Sequence, residues 1–193
     1  DVRFLTEVSE RYGDLLKLKS LDLQGRFNDW ESAMRYAEVI RPFNPYHFEQ
    51  PSNSLRVSAE FTKRFDLPVS LHIGDQTRGY EAIERGSCTV FNLACICGGP
   101  TNIRKLFSLA EAAGIKCLIG TDQESTLGTS AQVQLGVSMP NLDLPCDPMG
   151  PVLYTESPSV ERIRAEGSYL YPPEGPGLGV ALDEDRVKAL KVN

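Results

Sequence analysis

Short apolar runs alternate along the chain with segments whose apolar positions recur every three to four residues. The spacing of Trp30, Ala33, Met34, Ala37 and Ile40 is typical of one face of a helix. The runs that predict strands are 15–23, 44–51, 67–75, 88–95, 115–120 and 141–144. The predicted helices lie over 30–40, 54–65, 77–86 and 125–138, with one more capped by Thr101 and ended by Gly114. Strands that alternate with helices form parallel sheets, so the pattern predicts an α/β fold, either doubly wound or closed into a barrel.

The remaining sequence limits this fold further. No predicted strand is followed by a G-x-G-x-x-G turn, which leaves a dinucleotide-binding fold without its motif. From residue 145 onward the chain is rich in Pro and Gly, and 172–185 (PPEGPGLGVALDED) indicates an ordered extension rather than a core element. We therefore predict an α/β domain over 1–150 and a C-terminal extension over 151–193.

Composition excludes some classes of protein. The net charge of −6 argues against a nucleic-acid partner, which requires a basic face. No apolar run approaches the ~20 residues of a membrane span, and the first residues do not resemble a signal peptide. We expect a cytoplasmic protein with reduced cysteines. The Cys95–Cys97 pair is a weak zinc signal without a completing set of ligands, so all five cysteines are interpreted as small buried residues.

Three successive predicted strands each end in one acid, namely Asp22, Glu49 and Asp75. Each interval is about one βα unit long. Because the C-terminal ends of parallel strands meet at one face, we expect the three carboxylates to lie together. Their mutual repulsion would be relieved by a hard cation, and oxygen ligands suit Mg²⁺ or Mn²⁺. Any one acid alone would be an ordinary loop residue, but the regular spacing favours a metal site.

These acids and several later motifs resemble the barrel domain of the enolase superfamily, in the branch of mandelate racemase and muconate lactonizing enzyme. The matching segments are LDLQG around Asp22, FEQP around Glu49 and GDQ around Asp75. They are followed by Gly98-Gly99, by 120–131 (GTDQESTLGTSA) and by the C-terminal 172–185. Each motif is modest alone, whereas their order and spacing together are specific.

The resemblance implies a (β/α)8 TIM-type barrel that is incomplete at its N-terminus, running from about the second helix to the last strand. It implies a Mg²⁺-dependent enzyme, with Mn²⁺ as an alternative ion, that removes the α-proton of a small carboxylate substrate and stabilises the enolate. Cycloisomerase or other isomerase chemistry is the first expectation. A dehydratase-like lyase and a non-catalytic metal-binding relative are the alternatives. The resemblance also implies a homo-oligomer, a catalytic role for Glu124, and roles for Gln24 and Gln76 in orienting the metal ligands.

The expected bases depart from the family pattern. Leu93 stands where the muconate-type branch carries a lysine, and the seventh-strand segment contains no histidine. Strand alternation from Asp22 predicts that Lys17 and Lys19 point away from the barrel axis. His47 is interpreted as a satisfied core histidine, and His72 as a structural residue off the face of Asp75.

Overall fold

The computed structural model of the chain describes residues 2–15, 17–94 and 97–190. Its helices are α1 (Val2–Tyr12), α2 (Trp30–Ile40), α3 (Leu55–Arg64), α4 (Gln76–Arg85), α5 (Gly99–Ala113), α6 (Thr126–Ser138), α7 (Gly150–Leu153) and α8 (Glu184–Ala189). Its strands are β1 (Ser20–Asp22), β2 (His47–Glu49), β3 (Val69–His72), β4 (Val90–Leu93), β5 (Lys116–Ile119), β6 (Arg164–Glu166) and β7 (Tyr169–Tyr171). The first five strands form one parallel sheet in the order β1-β2-β3-β4-β5. The predicted α/β class is therefore confirmed, with five parallel strands.

The helices begin and end at residues whose side chains suit those positions. Asp29 accepts a hydrogen bond from the Ser32 backbone N–H (2.7 Å) and caps α2, and Ser54 caps α3. Gly86 ends α4 with φ of 64°, a left-handed conformation that glycine adopts without strain. None of the described helices is both long and apolar enough to cross a membrane.

The predicted strands are longer than the observed ones, and one predicted helix start was wrong. β1 begins at Ser20 rather than at residue 15, and Gly13–Leu15 form a 3-10 turn. α5 begins at Gly99, so Thr101 lies inside the helix instead of capping it. Gly98 and Gly99 both have positive φ, which lets the chain turn into the helix before Thr101.

The chain divides into two compact units, residues 1–91 with 113–115 and residues 92–112 with 116–193. We call them unit 1 and unit 2. The core of unit 1 contains an aromatic group in which the Phe65 ring lies 4.8 Å from that of Phe48 and 5.0 Å from that of Phe61. This packing joins β2 to the end of α3 and holds the strand that carries Glu49.

Unit 2 departs from the predicted sixth strand. Residues 141–144 do not form a strand. Side chains take two backbone N–H groups of β5 that a ladder would use, whereas the Cys117 carbonyl accepts the Asp143 backbone N–H (3.2 Å). Asp143 Oδ2 accepts from the Cys117 N–H (3.0 Å), and Cys146 Sγ accepts from the Ile119 N–H (3.2 Å). The segment after residue 150 includes an antiparallel hairpin, β6 and β7, which the sequence pattern did not predict.

Candidate active site

The sheet brings two of the three predicted acids together. Asp22 and Glu49 are paired residues at the C-terminal ends of β1 and β2, and the backbone continues with a 2.8 Å hydrogen bond from Leu23 N to Glu49 O. Neighbouring strands lie about 4.8 Å apart, so these carboxylates share one edge of the sheet. The spacing of one βα unit therefore predicted their proximity correctly.

Asp75 does not occupy the equivalent position on the third strand. The residue paired with Glu49 is Ser70, and β3 ends at His72, three residues before Asp75. One Asp75 oxygen accepts the backbone N–H of Arg78 (2.9 Å) and caps α4. The expectation of three equivalent positions was wrong, because Asp75 belongs to the start of a helix rather than to the strand.

Glu49 is buried, with 6% of its surface exposed, yet it is surrounded by groups that favour its charged form. His72 Nε2 lies 2.9 Å from Glu49 Oε1, and His47 Nε2 lies 3.8 Å from Glu49 Oε2. Burial acts to raise the pKa of Glu49. The two imidazoles and the charge of Lys19 outweigh it and hold that pKa well below its ordinary value. Glu49 is therefore a carboxylate at neutral pH.

His72 is the site residue that sequence reasoning missed. Alternation was counted back from Asp75, but Ile73 and Gly74 are not part of the strand, so that count does not apply. Alternation within β3 places His72 on the same face as Ser70, the register partner of Glu49, which accounts for the contact. His47 is buried (1% exposed), and within the described ranges neither of its ring nitrogens has a hydrogen-bond partner. It is a core residue, as predicted, and its Nε2 lies 3.8 Å from Glu49 Oε2, beyond hydrogen-bond distance.

The two lysines before β1 behave differently. Lys17 is exposed, in agreement with its predicted outward orientation. The ammonium of Lys19 is buried, and its charge contributes to lowering the pKa of Glu49. The outward prediction for Lys19 fails because regular alternation begins only at Ser20.

Asp22 is held by the residue that follows it by two. Gln24 donates to Asp22 from its backbone N–H (2.8 Å to Oδ1) and from its side-chain amide (to Oδ2), and it has a positive φ of 54°. Loss of hydration raises the pKa of Asp22, and repulsion from Glu49 adds to the increase, despite the donors of Gln24. Gln76, the other residue predicted to orient a ligand, is the first residue of α4.

The chemistry of these donors fits a hard divalent cation. The three acids offer only carboxylate oxygens, which Mg²⁺ and Mn²⁺ prefer, and a cation would relieve the repulsion between Asp22 and Glu49. Over residues 2–15, 17–94 and 97–190, no three His, Cys, Asp or Glu side chains already surround one point at ligand distance. Over these described residues, Asp22, Glu49 and Asp75 are therefore not arranged as a complete ligand set.

Glu124 lies in unit 2, in the loop between β5 and α6. Its Oε2 accepts from Thr121 Oγ1 (2.7 Å), and its Oε1 accepts from Gln132 Nε2 (2.7 Å). The carboxylate is half-buried and oriented by side chains on both sides. Such a group can act as an acid, a base or a hydrogen-bond acceptor.

The described cysteines do not suggest a metal or disulfide site. Cys88, Cys97, Cys117 and Cys146 form no disulfide with one another, and Cys88 and Cys117 are buried. Cys95, the other half of the weak zinc signal, lies outside the described residues.

A family model described as "Enolase C-terminal domain-like" matches residues 1–186 of the chain. The chain belongs to the enolase superfamily. Muconate cycloisomerase 1 of Rhodococcus opacus is 33% identical over 173 residues, which are 87% of this chain and 46% of that protein. A chloromuconate cycloisomerase of Pseudomonas putida is 31% identical over 194 residues, covering 97% of this chain and 52% of that protein. The chain thus spans about half the length of the curated relatives it matches.

Solved structures of this superfamily have the same fold. Muconate lactonizing enzyme from Pseudomonas putida superimposes with a TM-score of 0.88 at 26% identity, over 98% of this chain and 54% of that one. An N-succinyl Arg/Lys racemase from Bacillus cereus gives a TM-score of 0.91 at 23% identity, over 100% of this chain and 53% of that one. The second likeness supports the fold alone.

The departure from the superfamily pattern at the sixth strand is also visible in the structure. Leu93, in the place of the muconate-type lysine, is the last residue of β4 and is fully buried between Asn92 and Ala94, which are also buried. None of these three side chains accepts a proton. β5, the counterpart of the seventh strand, contains no histidine.

Proposed function

We propose that the chain is the barrel portion, with 151–193 as its C-terminal extension, of a divalent-metal-dependent isomerase of the cycloisomerase type. Its substrate would be a small carboxylate whose α-proton is moved through an enolate. The observation that carries this proposal is the register pairing of Asp22 with Glu49 at the ends of adjacent parallel strands. The names of the superfamily relatives, muconate and chloromuconate cycloisomerase, support the reaction class.

Asp22, Glu49 and Asp75 would hold the ion, which would be Mg²⁺ or Mn²⁺. When bound, the ion supplies positive charge that binds the substrate carboxylate and favours the enolate. The chain's own residues prepare this site. Gln24 fixes both oxygens of Asp22, and His72 and Lys19 keep Glu49 ionised. Glu124 would face the substrate as an acid or hydrogen-bonding group.

Muconate provides a direct test. Cyclisation of muconate to a lactone forms a new C–H bond next to the remaining carboxylate, so the reaction in D₂O places deuterium on that carbon. We expect the purified chain with Mg²⁺ or Mn²⁺ to yield the deuterated lactone, measured by NMR and mass spectrometry. Addition of a chelator and the Glu49→Gln variant should both abolish product.

Glu60→Gln is a suitable control, because Glu60 lies on the surface of α3, is paired with Arg64 and is not one of the predicted metal ligands. It should leave product formation unchanged. Lactone formation that persists with chelator would contradict metal dependence. Absence of deuterated product at every metal concentration would contradict the cycloisomerase assignment.

A second candidate is a metal-binding relative without catalysis. It is favoured by the buried Leu93, which stands in the place of a lysine and cannot accept a proton. It predicts tight metal binding to the chain together with no deuterium uptake by any small carboxylate offered.

A further inference from the structure

Each oxygen of the Glu124 carboxylate accepts one side-chain hydrogen bond. Thr121 Oγ1 donates to Oε2 and Gln132 Nε2 donates to Oε1, both at 2.7 Å. Two donors on two different oxygens fix the plane of a carboxylate as well as its position. The remaining lone pairs therefore point in a set direction.

Gln132 is a buried glutamine whose side chain is fixed by hydrogen bonds. It lies in the middle of α6 and is 1% exposed. Its Nε2 donates a second hydrogen bond, to the Gly120 carbonyl oxygen at the end of β5 (2.8 Å). Both neighbours are acceptors, so the amide nitrogen must face them. Within the described part of the chain the Gln132 oxygen has no hydrogen-bond partner. Orienting Glu124 thus accounts for half of the bonds that this buried amide makes.

The backbone of Glu124 is fixed by other residues. Its carbonyl oxygen accepts from Thr129 Oγ1 (3.2 Å), and a Cβ on Gly150 would lie only 1.7 Å from that oxygen, so the two segments are in close contact. The preceding carbonyl, of Gln123, accepts from the Tyr154 hydroxyl (2.6 Å). Removing the Gln132 amide would therefore free Glu124 Oε1 and let the carboxylate rotate about its contact with Thr121, while the backbone of the loop stays in place.

We propose that Gln132 is a positioning residue that holds the Glu124 carboxylate in the orientation it needs toward the substrate. The inference rests on the proposed function, because it assigns Gln132 a role through a group that contacts substrate. Small displacements of a reacting group reduce turnover strongly while substrate binding changes little.

Gln132→Met tests this, because methionine keeps the length and bulk of the side chain and removes the amide. Gln134→Met is the matched control. Gln134 lies on the same helix, and its amide donates to the Pro173 carbonyl oxygen (2.8 Å). With muconate and Mn²⁺, we expect kcat of Gln132→Met to fall by roughly tenfold or more with KM within about threefold. Gln134→Met should retain kcat, whatever its loss of thermal stability.

Crystal structures of both variants provide a readout that does not depend on turnover. In Gln132→Met the Glu124 carboxylate should leave its present position while its backbone stays against Gly150. A carboxylate that stays in place, or an equal fall of kcat in the two variants, would overturn the proposal. If the unaltered chain does not turn over muconate, the proposed function fails, and the crystal structures still decide whether Gln132 orients Glu124.

If Gln132→Met does not fold, Glu124→Ala in the otherwise native chain answers the same question. The side-chain amide resonances of Gln132 in ¹⁵N NMR should shift when their carboxylate acceptor is removed, and those of Gln134 should not. Unchanged Gln132 resonances would overturn the proposal.

Discussion

Glu49 is buried and negatively charged, and its neighbours stabilise that charge. An unpaired buried carboxylate would take up a proton, because the charged form loses its hydration. Here His72 at 2.9 Å and the charge of Lys19 oppose that loss, and the pKa of Glu49 falls below its ordinary value. The site therefore has an ionised oxygen ligand available at neutral pH whether or not a cation is bound.

At Cys88, unlike at Glu49, the effect of burial on the pKa prevails. Burial raises the pKa of its thiol to about 12, from an ordinary value of 9.0. Above pH 9 the unfolded chain loses this proton and the folded chain keeps it, so unfolding releases a proton and stability falls as pH rises. We expect the free energy of unfolding to decrease between pH 9 and 11 by up to about 1.4 kcal/mol per pH unit more than in Cys88→Ala.

Denaturant unfolding at several pH values, on the wild-type chain and Cys88→Ala, measures this difference. Parallel pH dependence of the two proteins would show that Cys88 ionises freely in the folded state. Alkylation by iodoacetamide gives an independent check, since Cys88 should react only when the chain is unfolded.

At the residue scale, spacing along the chain was enough to predict which acids lie close together, but not which side-chain contacts form. Asp22 and Glu49 were predicted as neighbours because one βα unit separates them, and the register confirms it. The contact of His72 with Glu49 and the burial of the Lys19 ammonium depend on rotamers and on where strands begin, which periodicity does not resolve.

The elements of this fold place the acids through two different local structures. Asp22 and Glu49 end strands, so the ladder sets their separation, whereas Asp75 begins a helix and binds the N–H of Arg78. A carboxylate at a helix N-terminus is stabilised both by that hydrogen bond and by the helix dipole. Asp75 therefore has a structural role that is separable from its predicted role as a metal ligand.

Substitutions at Asp75 distinguish these roles. Asp75→Asn keeps a side-chain oxygen for the Arg78 N–H and removes the charge, whereas Asp75→Ala removes both. We expect Asp75→Ala to lose about 1 kcal/mol of unfolding free energy and Asp75→Asn to lose much less. Both should weaken Mn²⁺ binding, measured by calorimetry. If Asp75→Asn binds Mn²⁺ as tightly as wild type, Asp75 is a helix cap and not a ligand.

At the element scale, strong periodicity predicted existence and type well. α2 runs from Trp30 to Ile40, as its apolar spacing indicated, and Gly86 ends α4 as expected. The predicted strand at 141–144 does not form, and the Asp143 and Cys146 side chains take two backbone donors of β5. A pattern of apolar residues does not show whether a strand's N–H groups will bond to a neighbouring backbone or to side chains.

For the molecule as a whole, the order of motifs predicted the superfamily, and the family model confirms it over residues 1–186. The predicted metal ligands all lie in unit 1, and Glu124 with Gln132 lies in unit 2. The closure of a full barrel and the oligomeric state were implied by resemblance alone and stay predictions. Metal binding should therefore change hydrogen exchange in unit 1 alone, and unit 2 of the same chain can serve as an internal reference.

A ligand that binds only the folded state stabilises it by mass action. Mn²⁺ at about one hundred times its dissociation constant should add about 2.7 kcal/mol to the unfolding free energy. Hydrogen exchange should show the added protection at residues 22–26, 49–53 and 72–78, while the β6–β7 hairpin exchanges as before. Glu49→Gln should weaken Mn²⁺ affinity by tenfold or more, which lowers the stabilisation at the same Mn²⁺ concentration by about 1.4 kcal/mol.

Glu60→Gln should respond to Mn²⁺ as the wild-type chain does, because Glu60 is paired with Arg64 on the surface of α3. Protection that rises uniformly over both units would indicate nonspecific adsorption of cations by a chain of net charge −6. Equal Mn²⁺ stabilisation of wild type and Glu49→Gln would remove Glu49 from the metal site. In that case the imidazole of His72 and the ammonium of Lys19 would be sufficient to stabilise the buried Glu49 carboxylate. The alternative of a non-catalytic metal-binding protein would then be contradicted as well, because it also requires Glu49 as a metal ligand.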